Sequence, residues 1–413
     1  MTRLLERAAL ESPGRYARHE LIEGFDQDRL SRADVIVVGA GAVGNEVLKN
    51  LALLGVGGIE IHDFDRIELH NLTRSVLFNE EWVGRFKSEA AAEACARLDP
   101  NVRARAFTGD FRDHLSVERV RDADAVLCCV DNHEARIHLN RLCLMTGTPF
   151  LNAAIDAWEA SIEIYPHRPG ETSACYECWI PSAIYGVIRQ RYSCGGLRKV
   201  SVEQGRVPTT TLTSSVAGAS LVSLFLQELC GMPLRRRGAV QSRARLHLLT
   251  AEERAIEKNP DCPACRSFAI APEILPCAAA SAPDLAGGHG GDDPVLILSE
   301  PLITGWTCQG CGDSEPILAR ARDHDTSLLW CPTCGAPSRS VDIIEEATSS
   351  RLAVLARGRP LPIRYLLCMA SIPPLLLSLS AANPATSDTG NDSNPHPSPT
   401  PTKTPTPKNP AAS

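Results

Sequence analysis

Cys308-x-x-Cys311 and, 20 positions after Cys311, Cys331-x-x-Cys334 have the spacing of a four-cysteine zinc ribbon, and a glycine follows each pair, Gly312 and Gly335. Two thiolates separated by two residues present both sulfurs to one ion. Four of them close a tetrahedral shell with no position left for substrate, so the site reads as structural. A second set, Cys175-Tyr-Glu-Cys178 and Cys262-Pro-Ala-Cys265, repeats the knuckle spacing, but its halves lie far apart in the chain. Spacing alone leaves open whether they share an ion, which needs a fold that brings the halves together. The N-terminus, MTRLLERAALESPGR, lacks the apolar run of a signal peptide. The expectation is therefore a cytoplasmic protein, in which such cysteines point to metal rather than to disulfides.

The other chemistry is phosphate binding. Gly39-Ala40-Gly41-Ala42-Val43-Gly44 has the spacing G-x-G-x-x-G, between the β-branched run Val35 to Val38 and the helix-period residues Val43, Val47, Leu51 and Leu54. In that setting the first glycine allows a tight turn and the second lets backbone N–H groups approach a phosphate. The third permits close helix–strand packing, and the helix N-terminus adds partial positive charge. Asp63, at the end of the next strand, lies where a carboxylate can accept hydrogen bonds from a ribose. Asp65, Asn71, Arg74 and Lys87 follow on one polar excursion, and Asp131-Asn132 end a later strand. A redox dinucleotide needs little beyond the glycines and Asp63, whereas added cations and a further carboxylate suit a triphosphate with Mg²⁺. Taken singly, Arg74 and Lys87 also read as solvated surface, and Asp131 as the N-cap of the next helix. Cys194, within Ser193-Cys194-Gly195-Gly196, is flanked by Arg191, Arg198 and Lys199. Such cations favour a nucleophilic thiolate.

These groups need a scaffold. Asp124 to Val130 is an apolar strand pattern feeding a helix from Glu134, Val102 to Phe107 alternates as a strand, and Lys87 to Leu98 is helical. With Phe150 to Asn152 and Ala160 to Tyr165 as further strands, the order predicts a Rossmann-like α/β fold with a doubly wound sheet. Residues 1–32 read as helical, 181–211 as a long, mobile loop of a length that is functional or disordered, and Leu212 to Leu229 as an apolar packing helix. The domain expectation is a nucleotide-binding α/β unit over 1–270, a linker over 271–294, the zinc ribbon over 295–345, an apolar segment over 346–382 and a Pro/Thr-rich, disordered tail over 383–413. Tyr365 to Ala382 is uncharged, of near-spanning length and preceded by arginines, which suits a C-terminal membrane tail. Pro373-Pro374 weigh against a straight helix, and the other reading is an apolar extension docked on the protein. A net charge of −7 over 413 residues argues against bulk nucleic-acid binding.

RYARH (15–19), GAGAVG (39–44), DFD (63–65), NLTR (71–74), GRFK (84–87), VDN with Arg136 (130–136) and the CYEC and CPAC pairs resemble the ubiquitin-activating-enzyme-like ThiF/MoeB/HesA superfamily. The resemblance covers about residues 12–270; the zinc ribbon and tail lie outside it, and Ala42 replaces a frequent third glycine. It implies ATP-dependent adenylation of the C-terminal carboxylate of a ubiquitin-like or sulfur-carrier protein. It assigns Asp63 to the ATP ribose, Asn71, Arg74 and Lys87 to the phosphates, and Asp131 to Mg²⁺. It also implies a homodimer in which Arg18 reaches the neighbouring site, and one zinc site from Cys175, Cys178, Cys262 and Cys265. Cys194 matches a loop cysteine that takes the acyl group or sulfur in some members. Three other readings compete: adenylation of a peptide or small-molecule carboxylate, an NAD(P)-dependent oxidoreductase, and a non-catalytic scaffold.

Overall fold

The computed structural model describes residues 14–168, 173–191, 208–231, 238–268, 274–278, 293–324, 326–357, 359–368 and 375–380. Strands β1 (Asp34–Val38), β2 (Gly58–Asp63), β3 (Arg103–Thr108), β4 (Ala125–Cys128), β5 (Phe150–Ile155), β6 (Glu159–Tyr165), β7 (Val240–Arg245) and β8 (Thr250–Ala255) build one sheet in the order β3-β2-β1-β4-β5-β6-β7-β8. Pairing is parallel from β3 through β5 and antiparallel from β5 to β8. β1 pairs β2 on one side and β4 on the other. The winding therefore reverses beside β1, which is where open α/β sheets leave a crevice for ligands.

Each face of the sheet has its own core. On one, Val35 and Val37 of β1 and Ile59 and Ile61 of β2 pack with the helices Ala42–Leu54, Lys87–Leu98 and Thr211–Cys230. On the other, Ile36, Val38 and Val126 meet the helix His133–Thr146. β1 is apolar throughout because both faces are covered. Thr211–Cys230 is long and apolar enough to cross a membrane, yet it buries Ala217, Leu221, Val222 and Phe225 in the first core. A Cβ on its Gly218 would stand 2.5 Å from the Glu46 Cβ, so the two helices approach closely, as the packing reading of this helix expects.

The C-terminal region departs from a small isolated ribbon. β9 (Ile274–Ala278), β10 (Val295–Cys308), β11 (Ser314–Arg320), β12 (Arg339–Thr348), β13 (Tyr365–Cys368) and β14 (Leu375–Ser380) form a second sheet in the order β11-β10-β13-β14-β9, with β12 also on β10. Part of the expected linker is thus a strand, and the apolar segment supplies two more. Side chains alternate between two cores along it. Tyr365, Leu367 and Leu376 face the His133–Thr146 side of the first sheet, and Leu366, Cys368, Leu377 and Leu379 face a core shared with the helix Ser349–Ala356. A strand covered on both faces has no polar alternation, so its sequence looks like a membrane segment. Of the expected N-terminal helix, residues 1–13 lie outside the described residues, residues 15–24 are turns, and Gln27–Arg32 is a helix capped by Asp26. The expected loop over 181–211 begins with the helix Ala183–Arg191. Its remainder to 207, including Cys194, lies outside the described residues, as does the tail over 383–413.

Candidate functional site

The glycine turn closes β1 against β4. Gly39 has φ +95°, and a Cβ there would meet the Cys129 carbonyl at 2.7 Å; one on Gly44 would lie 1.9 Å from the Gly39 carbonyl. Neither place admits a side chain. Gly41 differs: nothing stands within 4 Å of where its Cβ would be, and it caps the Ala42–Leu54 helix without a side-chain bond. The helix N-terminus is left open to an anion. Ala42 opens that helix and is half-exposed.

Asp63 joins the turn to the following segment. Its carboxylate accepts from the Ala40 amide at 2.7 Å and from the Asp65 amide at 2.8 Å. Burial raises its pKa, and those amides together with the nearby Lys87 charge oppose the rise. Lys87 comes to Asp65 because the polar excursion closes on itself. The Ile67 amide donates to the Arg85 carbonyl, the Gly84 amide to the Ile67 carbonyl and the Lys87 amide to the Asp65 carbonyl. Lys87 Nζ then donates to Asp65 Oδ2 at 2.8 Å. Lys87 is buried, which sets aside the solvated-surface reading.

Asp131 follows β4, next to Cys129 and Val130, which press on Gly39. The cap of the His133–Thr146 helix is Asn132, whose Oδ1 accepts from the Ala135 amide at 2.9 Å. Asp131 is exposed and has no ion pair or hydrogen-bond partner among the described residues. The N-cap alternative for Asp131 thus belongs to its neighbour. Glycine turn, Asp63, Lys87 and Asp131 share the carboxyl end of the sheet.

Other predicted residues stand apart. Asn71 is buried and its Oδ1 accepts from the Glu68 amide at 2.9 Å, while Arg74 Nη1 donates to the His70 carbonyl at 2.9 Å. Both hold their own turn. Arg18 is exposed and without a partner among the described residues. Its motif neighbours are anchored: Tyr16 to Asp99, Arg15 to the Leu98 carbonyl and His19 to Gln27. Two residues outside the predicted set matter to the geometry. Asn45 Nδ2 donates to the Ala40 carbonyl at 2.7 Å and its Oδ1 accepts from the Leu77 amide at 2.9 Å, stapling the glycine turn to the excursion. Its signal was a polar residue three before Leu48 and seven before Ala52, on the face of the helix opposite the Val43–Leu54 stripe. Arg136 is buried, and its Nη2 donates to the Val130 carbonyl at 2.8 Å.

Both cysteine sets converge. In the first, Cys175–Cys262, Cys178–Cys265 and Cys175–Cys265 sulfurs stand 3.6 Å apart. In the second, Cys308–Cys334 is 3.7 Å and Cys311–Cys331 is 3.6 Å. A tetrahedral shell at the zinc–sulfur bond length separates its sulfurs by about 3.8 Å, so each set fits that ion. The second set is built by two turns in which the Gly312 and Gly335 amides, at φ +79° and +69°, donate back to the Cys308 and Cys331 carbonyls. The first is anchored by buried Glu177, which accepts from Arg141, Asn140 and Tyr185. Two of those partners lie on the helix that follows Asp131.

A family model described as "ThiF family" matches residues 15–264, more than half of the chain. The chain is similar to "Adenylyltransferase and sulfurtransferase MOCS3-1" of Zea mays, at 29% identity over 61% of this chain and 51% of that protein. It is also similar to "Molybdopterin-synthase adenylyltransferase" of Escherichia coli K12, at 32% identity over 40% of this chain and 66% of that one. Among solved structures, E. coli MccB with MccA-N7isoASN matches with TM-score 0.50 and 24% identity over 64% of this chain and 80% of that one, a likeness of fold. The chain spans about half the length of the plant relatives it matches.

Proposed function

The chain belongs to the ThiF family, and on that premise we propose that it adenylates a carboxylate with ATP. A carboxylate oxygen attacks the α-phosphorus, the bond to the pyrophosphate oxygen breaks, and acyl-adenylate and pyrophosphate result. The observation that carries this reading is the meeting of an open glycine turn, Asp63, buried Lys87 and unpaired Asp131 at one sheet end. In it, backbone amides of the turn hold phosphate and Asp63 binds the ribose. Lys87 and Arg74 neutralise charge growing on the pyrophosphate, which is positioning and electrostatic work. Mg²⁺ fits the exposed Asp131 carboxylate, a hard oxygen donor, and when bound offsets phosphate charge. Asn71 acts by keeping Arg74 in its turn. Arg18, exposed and unpaired, is assigned to the site of a second copy in a homodimer.

The proposed acceptor is the C-terminal carboxylate of a small ubiquitin-like or sulfur-carrier protein, supported by similarity to "Sulfur carrier protein adenylyltransferase" of Thermus thermophilus and "SUMO-activating enzyme subunit 2" of Dictyostelium discoideum. In a second step the Cys194 thiolate attacks the acyl carbon, a thioester forms and AMP leaves. The eight converging cysteines are assigned to two structural zinc ions, supported by their sulfur spacing.

ATP–pyrophosphate exchange tests the reading. Exchange is expected with a small protein ending in Gly-Gly. Exchange only with a peptide or small-molecule carboxylate moves the acceptor to that class, and binding of NAD without competition from ATP overturns the reading.

A further inference from the structure

A second charged cluster links the C-terminal sheet to the nucleotide end of the first. The short helix after β3, Phe111–His114, carries Arg112 and Asp113 and is capped by Asp110; β10 carries Glu300, and the end of β11 and the turn after it carry Arg320 and Arg322. Arg322 reaches Asp113 at 2.7 Å, Asp110 at 3.3 Å and Glu300 at 2.5 Å. Its side chain is 10% exposed and that of Glu300 is 4% exposed. Arg320 adds a further ion pair to Asp113. Arg112 passes the contact on. It bonds Asp110 at 2.7 Å and Glu134 at 3.0 Å. Glu134 lies in the first turn of the His133–Thr146 helix, three residues after Asp131.

An ion pair exposed to water contributes little, but Arg322 and Glu300 are buried together, so loss of the guanidinium strands the Glu300 carboxylate in the interior and releases one of the two arginines on each of Asp110 and Asp113. The chain Arg322–Asp110–Arg112–Glu134 therefore holds the start of the helix that Asp131 immediately precedes, one residue before the Asn132 cap. Arg322 lies beyond the residues matched by the family model, 15–264. We infer that Arg322 is a positioning residue for the Asp131 carboxylate, and that the C-terminal sheet, by seating it, sets how well the site takes Mg²⁺ with ATP. This inference rests on the adenylation reading above.

The test is calorimetric binding of ATP to the full chain, once with Mg²⁺ and once with EDTA. Residues that orient a metal-binding group typically change metal affinity by 10–100-fold, so Arg322→Ala is expected to weaken binding about tenfold with Mg²⁺ and leave binding in EDTA unchanged. Adding Asp131→Asn to Arg322→Ala should cost less than Asp131→Asn costs alone, because both act on one group. If Arg322→Ala does not fold, Arg112→Lys keeps the charge, loses the fork geometry and is read by the same ratio. Wild-type binding that depends on Mg²⁺, with a ratio unchanged in the variant, overturns the inference and leaves the adenylation reading standing. A wild type that binds no ATP overturns both.

Discussion

Gly44 and Gly41 belong to one motif but have different physical tasks. A Cβ at Gly44 would overlap the Gly39 carbonyl at 1.9 Å, whereas one at Gly41 would meet nothing within 4 Å. Gly44→Ala is therefore expected to cost about 1–3 kcal/mol or more in chemical denaturation. Gly41→Ala should keep the wild-type melting curve yet lose about tenfold or more in ATP affinity, because its methyl occupies the space a phosphate needs. Lys87 makes the complementary case for charge. Lys87→Ala is expected to lower ATP–pyrophosphate exchange by about 10²–10³-fold, the scale of removing one charge-stabilising donor, and its melting curve checks that the fold survives. At this scale the candidate site was largely legible in the sequence. Residue types and spacing nominated Asp63, Lys87 and Asp131, but the capping role that competed for Asp131 could be assigned to Asn132 only from the hydrogen bond to the Ala135 amide.

At the scale of elements, the knuckles show what spacing can and cannot carry. Cys308, Cys311, Cys331 and Cys334 are close enough in sequence that their pairing is nearly local. Cys175 and Cys262, by contrast, meet at 3.6 Å only because a whole sheet edge lies between them in the chain. Purified protein is expected to hold about two zinc ions per chain and Cys308→Ser about one, measured by elemental mass spectrometry. The variant should also melt at a lower temperature, since structural zinc contributes about 10–16 kcal/mol in isolated fingers. Asn45 is the opposite kind of element-level fact. One polar residue among Leu48 and Ala52 gave a faint signal, and its partners, the Ala40 carbonyl and Leu77 amide, lie on segments whose approach no local pattern announces.

Across the whole molecule, the ion cluster between the two sheets has a pH dependence of known sign. Burial would raise the Asp113 pKa, but hydrogen bonds from Arg322 and Arg320 outweigh it and bring it from 3.8 down to about 2. A carboxyl depressed on folding adds stability above its unfolded value and loses it as pH falls through the folded one. The melting temperature of wild type minus that of Asp113→Asn should hence be constant from neutral pH to about 4 and shrink toward pH 2.

By itself the sequence determined the doubly wound sheet from β1 to β6, because those strands and the helices between them carry their own periods, breakers and a glycine turn whose demands are local, whereas β7 and β8 had no such signal. The sequence also nominated the knuckles, since ligand spacing is a property of a few residues. Only the tertiary structure decided the second sheet. Tyr365 to Cys368 and Leu375 to Ser380 carry no charge and only two serines, and such a run is equally at home in lipid or between two cores. What settles it is the pairing of β13 with β10 and of β14 with β9, contacts made across long stretches of chain and invisible to any local window.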